Sequence, residues 1–272
     1  MNKVSNIVLI VLLSILVALL TGVLFYGING NGFKNKKVSL QQTSEYELSE
    51  VNEVQIKAKS ADINIRESED DKVHVEIYTT EKDNAVINME DGSLKIELKN
   101  EIRFCLFCFR SESERIIVKL PSSYSNGISI DSKSGDVEIS SFENAVLNIS
   151  TRSGDLKADS IKDANISLTS GDIYIKKINT ANIKATSGDI ELIKIDGIIN
   201  LKVTSGDIEI KDFDIKGDSK IVATSGDVKI KNLSDAFVST SVKSGDIKVN
   251  GSNRSAEYEL DIKVTSGDIK VN

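Results

Sequence analysis

The sequence predicts an all-β protein, a parallel β-solenoid (β-helix) with an N-terminal β cap, preceded by one transmembrane helix. Three observations carry this prediction. The tripeptide Ser-Gly-Asp recurs eight times, with glycines 17 to 22 residues apart at Gly135, Gly154, Gly171, Gly188, Gly206, Gly226, Gly245 and Gly267. A recurrence of that length marks stacked coils, each contacting its neighbours, and not a domain with one closed core. Apolar residues alternate with period two on both sides of each tripeptide. Finally, Ile7 to Tyr26 form twenty consecutive uncharged residues near the start of the chain.

That apolar segment, at 1.5 Å per helical residue, would span about 30 Å, the thickness of a bilayer core. Residues 1–27 are therefore expected to be an uncleaved single-pass anchor. A cleaved signal peptide is the competing reading, but its apolar region normally runs about 7 to 15 residues and ends at a small-x-small site. No convincing site of that kind follows. Lys3 flanks one end of the segment and Lys34, Lys36 and Lys37 the other, so the lysine count slightly favours a cytoplasmic solenoid. Large β domains behind an N-terminal anchor are usually exported, and an extracellular placement is the expectation. Residues 28–44, opening on the Asn/Gly-rich run Gly27 to Gly32, read as a flexible tether.

Residues 45–121 are expected to hold a degenerate repeat and a mixed β cap. Ile56 and Ala58 precede Ser60, and Ile63 and Ile65 follow Asp62, with Ala61 standing where glycine should be. Beyond them come longer alternating runs, Lys72 to Thr79 and Ser93 to Lys99. Asp91-Gly92 is the hairpin signal before the second run.

Residues 122–272 carry the eight Ser-Gly-Asp repeats. Two and four residues before the serine the positions are mostly apolar, as at Ile166 and Leu168 or Leu201 and Val203. After the tripeptide the apolar positions lie three and five residues beyond the serine, as at Ile173 and Ile175 or Ile208 and Ile210. Each run is a strand with one buried face. The phase slips by one residue across the tripeptide, so the chain must bend there to keep that face inward. Glycine supplies the positive φ such a corner often needs, and a serine or aspartate side chain can bond the backbone freed by the bend. A further apolar rank eight residues after the serine, Phe142, Ile161, Ile178, Ile195, Phe213 and Leu233, implies a second bend. The last repeat stops at Asn272, so its strand is expected to be an open edge unless Asn250 to Glu259 folds across it.

Candidate chemistry is sparse. The repeat aspartates would stack as a ladder, which suits turn capping; calcium is the alternative, but the Gly-Gly-x-Gly-x-Asp nonapeptide of calcium-binding solenoids is absent. No metal site, cofactor or catalytic residue is assigned. Thr169, Thr186, Thr204 and Thr224 form an outward threonine rank with no second rank beside it, as expected for β-formers on a solvated face. His74, the single histidine, alternates in phase with polar Lys72 and Glu76, placing it on the solvated side of its strand. Cys105 and Cys108 lie in Phe-Cys-Leu-Phe-Cys-Phe and are candidates for a local disulfide, which requires a turn because residues three apart on a strand point to opposite faces. Buried free thiols, a redox pair, zinc and an apolar tip touching membrane or partner stay open for this segment.

A net charge of −7 with lysines and acids interspersed argues against a nucleic-acid partner. The Thr-Ser-Gly-Asp-Ile units, preceded by Ile117-Val118-Lys119-Leu120-Pro121, resemble the bacterial adhesin-like family of β-strand-repeat domains of unknown function. The resemblance covers residues 45–272 and implies an envelope location and an interaction role, with no catalytic motif to carry over. The reading is thus a non-enzymatic, membrane-anchored surface module that binds an envelope protein, wall polymer or peptide along a solenoid face. The alternative is a structural protein that self-associates through its solenoid ends, forming a homo-oligomer at the C-terminal edge.

Overall fold

The computed structural model describes residues 13, 17, 37–80, 84–99 and 113–272. The β body consists of Val38–Glu101 with Ser113–Asn272; Leu13 and Val17, helical and exposed, belong to a second unit. The rest of the expected anchor and both Cys105 and Cys108 lie outside the described residues. Among the described residues no helix is long and apolar enough to cross a membrane.

The alternation builds whole coils. Strands β9 (Val137–Ser153), β10 (Leu156–Ser170), β11 (Ile173–Ser187) and β12 (Ile190–Ser205) each run from one corner to the next. They pair in parallel and in register, so Ile166 lies opposite Ile183 and Ile183 opposite Leu201. The second bend is visible in β10, where Ser160 and Ile161 are consecutive and both buried and the ladder to β9 slips between Ile161 and Asp163. Phe142, Ile161, Ile178, Ile195 and Phe213 fill that bend at 1% exposure or less, while Leu233 is only partly buried.

Another inward rank, six residues before each serine, was not read from the sequence. Leu147, Ala164, Ala181, Ile199 and Leu260 occupy it and are buried. Ser219 takes the same place with its hydroxyl satisfied, accepting from the Ile199 N–H at 3.1 Å and donating to the Gly217 carbonyl at 3.1 Å. A buried hydroxyl that both donates and accepts escapes most of its desolvation cost.

The N-terminal region is a coil plus a cap. β2 (Glu53–Ser60) and β3 (Asp62–Glu67) form the degenerate repeat, in parallel register with β8 (Gly127–Ser134) and β9. Ala61 serves at this corner because it does not take the positive φ of the glycine corners; Asp91 is the one described non-glycine residue that has it. β4 (Lys72–Thr79) pairs antiparallel with β7 (Arg115–Leu120), and β5 (Ala85–Glu90) with β6 (Ser93–Leu98) through Asp91-Gly92, at φ 49° and 77°. β1 (Ser39–Glu47) pairs antiparallel with β4. The tether expected over residues 28–44 therefore gives way to strand from residue 39, because β4 offers Ser39 to Glu47 an edge to pair with.

The coils do not stack in chain order. β2 lies between β6 and β8, and β3 between β7 and β9, so the first coil of the chain is second in the stack. The other end repeats the device. After β13 (Ile208–Ile215), β14 (Ser219–Ser225) and β15 (Val228–Leu233), the chain forms β16 (Phe237–Ser244) and β17 (Ile247–Val249). It then returns as β18 (Glu259–Ser266) and β19 (Ile269–Val271), which insert between those coils. β18 pairs with β14 and β16, and β19 with β15 and β17.

The open edge that an uncovered last strand would have left at residues 266–272 is thus not there; the exposed end on this side of the stack is β16–β17. Hydrophobic burial explains the exchange. The C-terminal coil carries Leu260, Ile262, Val264, Ile269 and Val271, all buried, whereas β16 puts Thr240 opposite Ile262 and β17 leaves Ile247 47% exposed. The more apolar coil gains more from two neighbours than the less apolar one. The segment Asn250 to Glu259 does fold back, but along the start of β16: Asn253 N–H donates to the Ala236 carbonyl at 2.9 Å and Val238 N–H to Ser252 Oγ at 3.0 Å.

Candidate binding face

The Ser-Gly-Asp corners form one ridge. Seven of the eight repeat Asp carboxylates, all but Asp246 on the end coil, accept the backbone N–H of the Asp on the adjoining coil, from Asp155 onto Asp136 at 2.9 Å through Asp189 onto Asp172 at 2.9 Å to Asp246 onto Asp268 at 2.8 Å. Capping therefore runs between coils and not within the turn. All eight repeat glycines have φ between +115° and +141°. A Cβ at Gly188 would also stand 1.9 Å from the carbonyl oxygen of Gly171. Glycine is required twice over, by φ and by the approach of stacked corners. Among the described residues no group of three or more His, Cys, Asp or Glu side chains is placed to hold a metal ion.

The strands leaving the corner present a face whose charges answer one another across coils. Lys157 pairs with Glu138 at 3.5 Å, Lys176 with Asp159 at 2.5 Å and Lys211 with Glu191 at 2.6 Å, and Lys231 pairs with Glu209. The Lys231 hydrogen bond holds the Glu209 carboxyl below its ordinary range, and the Glu191 hydrogen bond raises the Lys211 ammonium.

The strands entering the corner are different. A groove of about 640 Å³ crosses their outer side over β6, β2, β8, β9, β10 and β11. Parallel in-register stacking puts like outward positions above one another, so Asn148, Asn165 and Asn182 form an amide ladder along its floor. Asn165 donates to Asn148 at 3.0 Å and Asn182 to Asn165 at 3.4 Å. Each such bond uses one N–H of the donor amide and leaves its second to a ligand. Ser150 and Ser167 form the neighbouring rank, with Lys57, Lys95 and Lys184 also lining the groove. The acids lining it are Asp131 and Glu97, and Glu97 is 3.6 Å from Lys99. This face was missed in the sequence, although its signal is there: Asn stands five residues before the corner serine in four successive repeats, the fourth being Asn200.

His74 lies in the cap. Its Nε2 is 2.7 Å from Asp70 and its Nδ1 3.8 Å from Glu45, and its side chain is 27% exposed. The His74 contact, then the Ser68 hydroxyl and the Lys72 amide, lower the Asp70 carboxyl to about 2.

Parallel coils held in register by glycine corners define a repeat protein of the solenoid type. The chain belongs to the Toastrack DUF4097 family, whose pattern matches residues 51–272. No curated protein matches the chain. Among solved structures, a candidate adhesin from Bacteroides fragilis is similar at 16% identity and TM-score 0.47, over 86% of this chain and 97% of its own. A candidate lipid-binding protein from Parabacteroides distasonis is similar at 18% identity and TM-score 0.45, over 85% and 96%. A candidate adhesin from the same organism gives 14% identity and TM-score 0.45, over 86% and 98%.

Proposed function

We propose that this chain is a non-catalytic interaction module, anchored by its N-terminal segment in the cell membrane with the β body outside, which holds an extended wall polymer along the groove. The observation that carries the reading is the ladder Asn148–Asn165–Asn182 with Ser150 and Ser167 beside it, on a floor that repeats every coil. Strands about 4.8 Å apart offer an amide at three successive steps and a hydroxyl at two of them, a spacing suited to a linear polymer whose units recur at a similar distance. Neither an envelope protein nor a peptide supplies hydroxyls so regularly. The test is co-sedimentation of the full-length protein with purified cell-wall polymer. Asn165→Leu with Asn182→Leu should abolish retention while leaving the circular dichroism spectrum unchanged; retention by the variant would remove the groove from the account. Protease added to intact cells should digest the β body, and full protection would refute the external placement.

A second reading, self-association, is favoured by one observation: Ile247 is 47% exposed at the unpaired end of the stack. In that case the contact is made by β16–β17. Mass measured against concentration decides it, and a concentration-independent monomer excludes it.

A further inference from the structure

We infer that the polymer held in the groove is an anionic polysaccharide, an inference that rests on the groove reading above. One rank nearer the corner than Ser150 and Ser167, the same face carries Lys59, Lys133 and Arg152 on three adjoining coils. The register places them together: Ala58 and Ser60 lie opposite Ser132 and Ser134, and Ser132 opposite Thr151. All three are exposed, and none has an ion-pair partner among the described residues. Strand spacing sets the backbones that carry these cations about 4.8 Å apart, and like charges directly opposite one another destabilise a sheet. The strands leaving the corner avoid that cost by pairing Lys157 with Glu138 and Lys176 with Asp159. Within this column no acid stands opposite a cation, in a chain of net charge −7; the acid on the same face, Asp131, lies one rank away on the strand of Lys133.

An anionic glycan lying across the coils supplies the missing charge. Each carboxylate, sulfate or phosphate of the polymer meets one cation of the Lys59–Lys133–Arg152 column, and the sugar hydroxyls meet the Asn and Ser ladders. Arg152 can take an oxyanion bidentately, which a lysine cannot. Lys184 extends the positive potential into the groove itself, whereas Lys57 stands between Glu97 and Asp131. Nucleic acid, the other common polyanion, is poorly served, because no aromatic side chain lines the groove to stack a base.

The experiment measures binding of the full-length protein to dextran sulfate, neutral dextran and single-stranded DNA at rising salt. Dextran sulfate should bind more tightly than dextran or DNA and weaken as salt rises. The triple variant Lys59→Gln, Lys133→Gln, Arg152→Gln should lose at least about tenfold in affinity for dextran sulfate, and Lys59→Arg with Lys133→Arg should keep it. Equal binding of the two dextrans, DNA binding as tight as dextran sulfate, or an unchanged triple variant overturns the inference. If the triple variant keeps its binding but Asn165→Leu with Asn182→Leu loses it, the groove reading stands and only the charge assignment falls. If the triple variant loses binding and the Asn variant keeps it, the groove reading falls.

Discussion

Gly188 shows how much one residue of the repeat decides. It holds φ +122°, and a Cβ there would press on the backbone of Gly171 at 1.9 Å, where no flexible side chain can yield. Gly188→Val is expected to destabilise the fold by about 3 kcal/mol or more, strain and overpacking acting together. Gly251 is the control: φ +78° with nothing within 4 Å of a new Cβ. Gly251→Ala should cost about 1 kcal/mol, from the backbone conformation alone. Urea unfolding of the two variants checks both, and equal costs would show that corner stacking contributes nothing. The need for glycine was legible in the recurrence itself. Its second cause, the neighbouring carbonyl, was not, because it belongs to another coil.

Among the elements, the inserted coil β18–β19 is the most informative. Ile262 is fully buried between β14 and β16, whereas Val242, at the end of the stack, is only partly covered. Ile262→Ala should therefore cost about 3 kcal/mol and Val242→Ala about 1 kcal/mol. The reverse order would indicate that the coils stack in chain order after all. Deleting residues 266–272 takes β19 from between β15 and β17. Its expected effect is a lowered melting temperature with exposure of the core at β15, and not the clean loss of a docking edge. The two apolar patterns Val242-x-x-x-x-Ile247 and Val264-x-x-x-x-Ile269 are alike, so alternation alone predicts two equivalent coils. Thr240 against Ile262 is the difference that assigns them to the end and the interior.

For the molecule as a whole, charge pairing sets a pH range. Asp70 is lowered to about 2, chiefly by His74, and Glu76 is lowered by its hydrogen bond from Lys119. Such carboxylates bind protons less readily folded than unfolded, so their contribution is complete above the ordinary carboxylate range and is lost as pH falls through it toward about 2. Lys72, raised to about 12 by Glu45 and Glu47, contributes below the ordinary lysine value and loses its effect as pH rises through about 12. Melting temperature should fall between pH 4 and pH 2, and Asp70→Asn should make that fall shallower. An identical acid limb in wild type and variant would discount the cap pairings.

Strand, corner and inward face follow from residues a few positions apart. Period-two alternation around Ile183 and Ile190, and glycine between them, are local and show in one dimension. The order of the coils, the amide ladder and the column Lys59–Lys133–Arg152 depend on which strand lies beside which. That is decided by long-range burial, where inserting Ile262 in place of Thr240 gains more apolar contact than chain order does. Alternation specifies what each strand buries. Only packing specifies its neighbours, and with them the face that a ligand meets.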